Sequence, residues 1–158
     1  MGQSVRSAPE RESADPGVSS STAPASPLLD RRFGRDEIAV LRHEVTGRLS
    51  RAGLTGDRLD SFVLAVNEVI TNVVLHAGGH GRIVVRIIDD SAWCTVTDSG
   101  PGIPAQYLGR PTVPETFDVG GRGIWLAHRL CDEVTVATGP IGTTIGLRVA
   151  LPRRWTPR

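Results

Sequence analysis

Glu68, Asn72 and His76 recur at four-residue steps inside an otherwise apolar stretch, LDSFVLAVNEVITNVVLHAGG, from Leu59 to Gly79. On a helix that spacing lines up a carboxylate, a carboxamide and an imidazole along one face. Burying such groups costs free energy unless a partner satisfies them. A nucleotide, a metal ion or an ordered water network has the right chemistry. The plain alternative is the solvent-facing edge of an amphipathic helix. Three more groups follow in the chain: Asp98 with Gly100 and Gly102, then Gly121-Arg122-Gly123, then Gly142-Thr143-Thr144. Taken singly, each is as well explained by a turn, a loop before a helix, or the start of a strand.

The elements that must carry these residues are set by hydrophobic period. Leu59, Phe62, Val63, Val66, Val69, Ile70, Val73, Val74 and Ala77 fall at three- and four-residue steps, which predicts one long central helix. Asp57 is placed to act as its N-cap, and Gly78-Gly79 as its stop. Before it, Leu28 to Phe33 reads as a first strand. Arg35 to Ala52 reads as a helix with Ile38, Leu41, Val45 and Leu49 on one face, and Gly53 to Gly56 as a turn. After Gly81 the period becomes that of strands. Arg82 to Asp89 and Trp93 to Thr97 form a predicted hairpin turning at Asp90-Ser91-Ala92. Pro104, Pro111 and Pro114 make the next segment a loop to about Val119. Ile124 to Cys131 is expected to be a short helix, and Glu133 to Thr138 and Thr143 to Leu151 two closing strands. The fold class expected is α+β: a two-layer sandwich of a mixed, mostly antiparallel sheet with three helices on one face.

Composition narrows the chemistry. The chain of 158 residues suits one domain, expected over residues 28–152. Residues 1–27 are rich in Ser, Ala, Pro and Gly and read as disordered, and 153–158 as a short basic tail. The formal net charge of +1 gives no basic field of the kind nucleic acid needs. There is no lysine among the 18 basic residues, so a Walker-A phosphate loop is excluded. Cys94 and Cys131 match no zinc or redox spacing and read as buried thiols. His76 and His80 lack a third ligand at a useful spacing, so His76 is better read as a helix-end group. Without a signal peptide or an 18-residue apolar run, the sequence points to a soluble, cytoplasmic protein with no membrane partner.

In this order and at these separations, NEVITNVVLHA, DSGPGIP, GGRGIWLAHRLCDEV and GTTIGLRVAL resemble the successive boxes of the GHKL superfamily of nucleotide-binding domains. Gyrase, heat-shock chaperone, histidine-kinase and mismatch-repair ATPases share that fold, often named after Bergerat. Within it, the match over about Phe33 to Pro152 is similar to the small serine/threonine kinases that act as bacterial anti-sigma factors. The resemblance implies ATP and Mg²⁺ as cofactors. It makes Asn72 the metal ligand through its carboxamide oxygen, and Glu68 the general base. It assigns Asp98 to the adenine amino group, with Gly100 and Gly102 allowing close approach of the backbone. His76 would lie near the nucleotide. Gly121 and Gly123 would offer N–H groups to phosphate at a helix start. Arg122 is either a phosphate contact or a solvated or partner-facing arginine. Thr143 or Thr144 would back the adenine, although β-propensity alone also explains them.

The function implied is a kinase that sequesters a sigma factor and phosphorylates a small antagonist protein on serine, commonly as a homodimer. Two alternatives stand beside it. A non-catalytic ATP-binding module would keep the nucleotide site without turnover. A detached histidine-kinase catalytic domain is suggested by His43-Glu44, but only about 25 residues separate Phe33 from the central helix, room for one helix rather than a hairpin of two.

Overall fold

The computed structural model describes residues 26–103 and 119–153. The expectations for residues 1–25, the proline-interrupted segment 104–118 and the tail 154–158 lie outside the described residues.

Strand β1 (Leu29–Gly34) leads through a short 3₁₀ turn (Arg35–Glu37) into helix α1 (Ile38–Arg51). Of the predicted apolar face, Leu41, Val45 and Leu49 are fully enclosed and Ile38 is partly buried against them. Helix α2 (Gly56–His76) starts three residues before its first predicted apolar position. Thr55 occupies the N-cap position with extended backbone and no side-chain bond to the helix. Asp57 is therefore inside the first turn, where its charge suits the dipole, rather than capping it. By length and composition α2 is apolar enough to span a membrane. Its apolar face is instead consumed by the core: Phe62, Ala65, Val66, Val69 and Ile70 are all enclosed there.

Two strands follow, β2 (His80–Ile88) and β3 (Ser91–Asp98). Their turn is Asp89-Asp90, one residue earlier than the sequence suggests. Both residues have positive φ, 46° and 61°, as a two-residue hairpin of right-handed twist requires. Helix α3 (Val119–Leu130), β4 (Glu133–Gly139) and β5 (Gly142–Ala150) complete the chain. α3 begins five residues before the predicted Ile124. Glycines at 120, 121 and 123 disfavour a helix locally, and contact with α2 overrides that preference.

The sheet order is β1-β2-β3-β5-β4, and every pairing is antiparallel. Strand alternation sends Ile83, Val85, Cys94, Val96, Ile145 and Leu147 to one face, where they join the enclosed faces of α1 and α2 in one core. The expected two-layer α+β architecture is thus observed. The other face carries Arg82, Arg86, Trp93, Thr97 and Thr144. Trp93 packs there against Gly146, where an added Cβ would meet Thr135 Oγ1, and the Trp125 ring of α3 lies under the Arg129 guanidinium, 5.6 Å from it.

Cys94 is enclosed on β3, Cys131 half-buried after α3, and both are free. Burial pushes both thiols up, Cys131 to about 12, so neither is a thiolate at neutral pH. An ion-pair cluster locks the far end of the domain. The Asp132 carboxylate accepts the Ala150 N–H at 2.7 Å and pairs with Arg58 of α2 at 3.0 Å. The Ala150 N–H, with help from Arg58, holds that carboxyl below the usual carboxylate range.

Candidate functional site

The long helix α2 is the spine of the site. Glu68 and Asn72 share one half-buried face of it, one turn apart and about 6 Å along its axis. His76 ends the helix and is exposed. Gly78 and Gly79, both at positive φ, stop the helix and turn the chain into β2.

Three contacts bring the separate groups onto this spine. The first joins α3 to α2. A Cβ built on Gly123 would lie 2.2 Å from Asn72 Nδ2, so the α3 backbone sits directly on the Asn72 carboxamide. Any side chain at 123 would occupy that space. The second joins the end of β3 to the end of α2. A Cβ on Gly100 would lie 2.7 Å from Ala77 Cα. Just before it, Asp98 Oδ1 accepts the Gly100 N–H at 2.9 Å, a short loop that fixes the carboxylate. Among the described residues, Oδ2 has no hydrogen-bond partner. The third joins the same loop to the β4–β5 hairpin. Gly102 has φ of +91°, and its missing Cβ would meet Gly139 O at 2.5 Å.

The sheet decides between the two threonines. Thr143 lies opposite Asp98 in the β3–β5 register and on the same, helix-facing side. It is buried and shares a hydrogen bond of 2.8 Å with Thr138 of β4. Thr144 is turned to the opposite face, where its hydroxyl lies 3.3 Å from that of Thr97. It falls outside the cluster. Alternation along the strand is the physical reason, and it follows once the Thr143–Asp98 register is known.

The glycines of α3 also divide. An α-helix leaves the N–H groups of its first three residues without an intrahelical acceptor, here residues 119–121. Gly121 thus presents a free backbone donor at a helix N-terminus, a favourable place for an anion. Gly123 is the fifth residue, so its N–H belongs to the helix. Its contribution is the close contact with Asn72. The side chain of Arg122 lies outside the description.

The order along α2 is chemically coherent. At the His76 end stand the Asp98 carboxylate and a buried hydroxyl, Thr143. One turn back, Asn72 meets the start of α3 and its free N–H groups. One turn further stands Glu68. Reading along the helix gives a pole for a hydrogen-bonding base, a pole for phosphate and a carboxylate beyond it. Cradles that a single Cβ would fill, at Gly100, Gly102 and Gly123, fit the close approach of backbone to a flat base and a phosphate chain. The Asn72 carboxamide fits a hard cation such as Mg²⁺.

Sequence reasoning missed Thr138, which hydrogen-bonds to both Ile103 N and Thr143. A lone threonine in a β-branched strand carries no signal of its own; only the β4–β5 register exposes it. His80 is a start-of-strand residue lining a cleft of about 780 Å³ with Arg32, Arg35, Arg82 and Asp98, so this cleft meets the α2 site at the Asp98 end.

Comparison with known proteins shows the family of the chain. Residues 35–149 match the family described as histidine kinase-like ATPase domain. The chain is 32% identical over 123 residues to the serine-protein kinase RsbW of Staphylococcus aureus, covering 70% of this chain and 77% of that protein. To serine-protein kinase RsbW of Staphylococcus epidermidis it is 31% identical over 112 residues, covering 63% and 70%. The catalytic domain of histidine kinase ThkA superposes with a TM-score of 0.50 at 12% identity, covering 77% of this chain and 95% of that domain. That likeness concerns the fold alone.

Proposed function

Because the chain belongs to the histidine kinase-like ATPase domain family, we propose that it is an ATP-dependent protein serine/threonine kinase that acts as an anti-sigma factor. In this reading it works in the cytoplasm as a homodimer, sequesters a sigma factor and phosphorylates a small antagonist protein on serine. The observation that carries it is the ordering on α2 of Asp98 with Thr143, then Asn72 with Gly123, then Glu68, in a chain 32% identical to a serine-protein kinase.

Each residue has work that its place allows. The Asp98 carboxylate accepts the adenine amino group, a contact guanine cannot make because it presents an acceptor there. Gly100 and Gly102 keep side chains out of the base pocket. Gly121 directs its backbone N–H at phosphate. The Asn72 oxygen would hold Mg²⁺, which when bound supplies charge neutralisation to the phosphate chain. Glu68, one turn from Asn72, orients the incoming serine hydroxyl and takes its proton. His76 borders the base end from the helix terminus.

The histidine-kinase alternative loses support from the position of α1. His43 is exposed, Glu44 pairs with Arg31 of β1, and the opposite face of the helix is enclosed in the core. α1 is thus part of the nucleotide domain and not one arm of a dimerisation hairpin. The test of the partner reading is a pull-down of the tagged full-length protein from its own cells, with ATP and with ADP, read by mass spectrometry. A sigma factor recovered with ATP and a small antagonist with ADP is the expected result. Recovery of neither, while the purified protein binds ATP, would remove the anti-sigma role.

A further inference from the structure

Thr138 does not belong to the four groups legible in the sequence, yet it joins two of them. It stands on β4 opposite Thr143 in the register of the β4–β5 hairpin. The two hydroxyl oxygens are 2.8 Å apart, and the Ile103 N–H donates to the same Thr138 oxygen at 2.8 Å. Thr143 in turn faces Asp98 across β5 and β3. One continuous path therefore runs from the backbone at Ile103, through two hydroxyls, to the Asp98 end of the site.

A hydroxyl carries one proton and two lone pairs, and a peptide N–H can only donate. Ile103 thus uses a lone pair of Thr138. Two arrangements remain for the pair. Thr143 gives its proton to Thr138 and can then only accept, or Thr138 gives its proton to Thr143 and leaves the Thr143 proton free. A hydroxyl that already accepts a hydrogen bond is the better donor, because chains of hydrogen bonds polarise in one direction. The Ile103 contact therefore favours the second arrangement.

We infer that Thr138 is a positioning residue that makes Thr143 a hydrogen-bond donor toward the bound base and so helps to set the choice of adenine over guanine. On its Watson–Crick edge adenine pairs a donor, the amino group, with a ring-nitrogen acceptor, whereas guanine presents an acceptor and a ring N–H donor, the reverse at both places. Asp98 supplies the acceptor and Thr143, directed by Thr138, the donor, whether to the ring nitrogen itself or to a water on it. The inference rests on the ATP-binding reading and adds to it a residue whose hydroxyl sets proton direction without touching the base.

The test compares the full-length wild type with Thr138→Val, which keeps the shape and loses the hydroxyl, and with Thr138→Ser, which keeps the hydroxyl. Dissociation constants for ATP and GTP are measured by calorimetry, and exchange of the Ile103 amide by NMR. Thr138→Val is expected to weaken ATP about tenfold and GTP much less, narrowing selectivity, while the Ile103 amide exchanges faster. Thr138→Ser is expected to restore ATP affinity to within about threefold and slow exchange again. Should the valine variant fail to fold, Thr138→Ala takes its place with the same expectations. Equal loss of ATP and GTP, or failure of serine to rescue, would reduce Thr138 to a structural tie and overturn the inference. Unchanged ATP affinity in Thr138→Val would overturn it while leaving the ATP site standing. Wild type that binds no ATP at all would remove the ATP-binding reading as well.

Discussion

At the scale of single residues, the account depends on Asn72, Asp98 and Gly123. Adding a methyl at Gly123 separates stability from binding. Alanine is favoured over glycine inside a helix by about 1 kcal/mol, which offsets the cost of moving one side-chain amide. Yet a Cβ there would lie 2.2 Å from Asn72 Nδ2, so the carboxamide must leave its place. Gly123→Ala is therefore expected to keep its melting temperature within a few degrees while Mg²⁺-dependent ATP affinity falls at least about tenfold, read by calorimetry with and without the metal. Asp98→Asn removes the carboxylate charge and one acceptor from the base pocket. It is expected to weaken ATP by about tenfold or more and to change GTP binding little, a comparison that isolates the base contact. Glu68, Asn72 and Asp98 were legible in the sequence because polar groups at helical spacing, and an acidic residue before glycines, are unusual in apolar surroundings. Thr143 was legible only as one of two neighbours, since a sequence does not say which face a strand turns inward. Thr138 was not legible, because its role exists only across a strand pairing.

Among the elements, α2 was the most visible in the sequence, because nine apolar residues at helical steps leave no other period. Its start was misplaced, since Asp57 looks like a cap and Thr55, without a capping bond, does not announce itself. α3 was seen only in its second half. Its glycines speak for a loop to any local reading, and only the seat of Gly123 on Asn72 explains why a helix runs through them. The strands were found because β-branched runs alternate, and the order that places β5 between β3 and β4 was not readable from the runs themselves. A prediction belongs at this scale. The junction of α3 and β4 is fastened by Asp132 to Ala150 N–H of β5 and to Arg58 of α2. Because the folded state lowers the Asp132 pKa, its contribution is fully present above the ordinary carboxylate pKa near 4 and is lost as pH falls through the lower folded value. Asp132→Asn is expected to lower the melting temperature at neutral pH and to converge with wild type as pH falls below the ordinary carboxylate range, followed by circular dichroism. Equal differences at all pH values would assign the effect to packing instead of charge.

At the scale of the whole molecule, the sheet and the three helices of the described residues bring four distant sequence groups onto a single helix, the arrangement on which the proposed base and phosphate positions rest. Among the described residues the helices lie on one face of the sheet, and the groups converge where α2, α3 and the ends of β3 and β5 meet. The central claim is that Glu68 turns an ATP site into a protein kinase. The most direct test is phosphotransfer from γ-labelled ATP to the small protein recovered with ADP in the pull-down, by wild type and Glu68→Ala, with ATP affinity measured on the same preparations. The account predicts label on an antagonist serine with wild type. In Glu68→Ala it predicts transfer reduced by about 10² to 10⁴-fold and ATP affinity within about threefold of wild type. Wild type that binds ATP and labels nothing, or Glu68→Ala that transfers as fast as wild type, would contradict it.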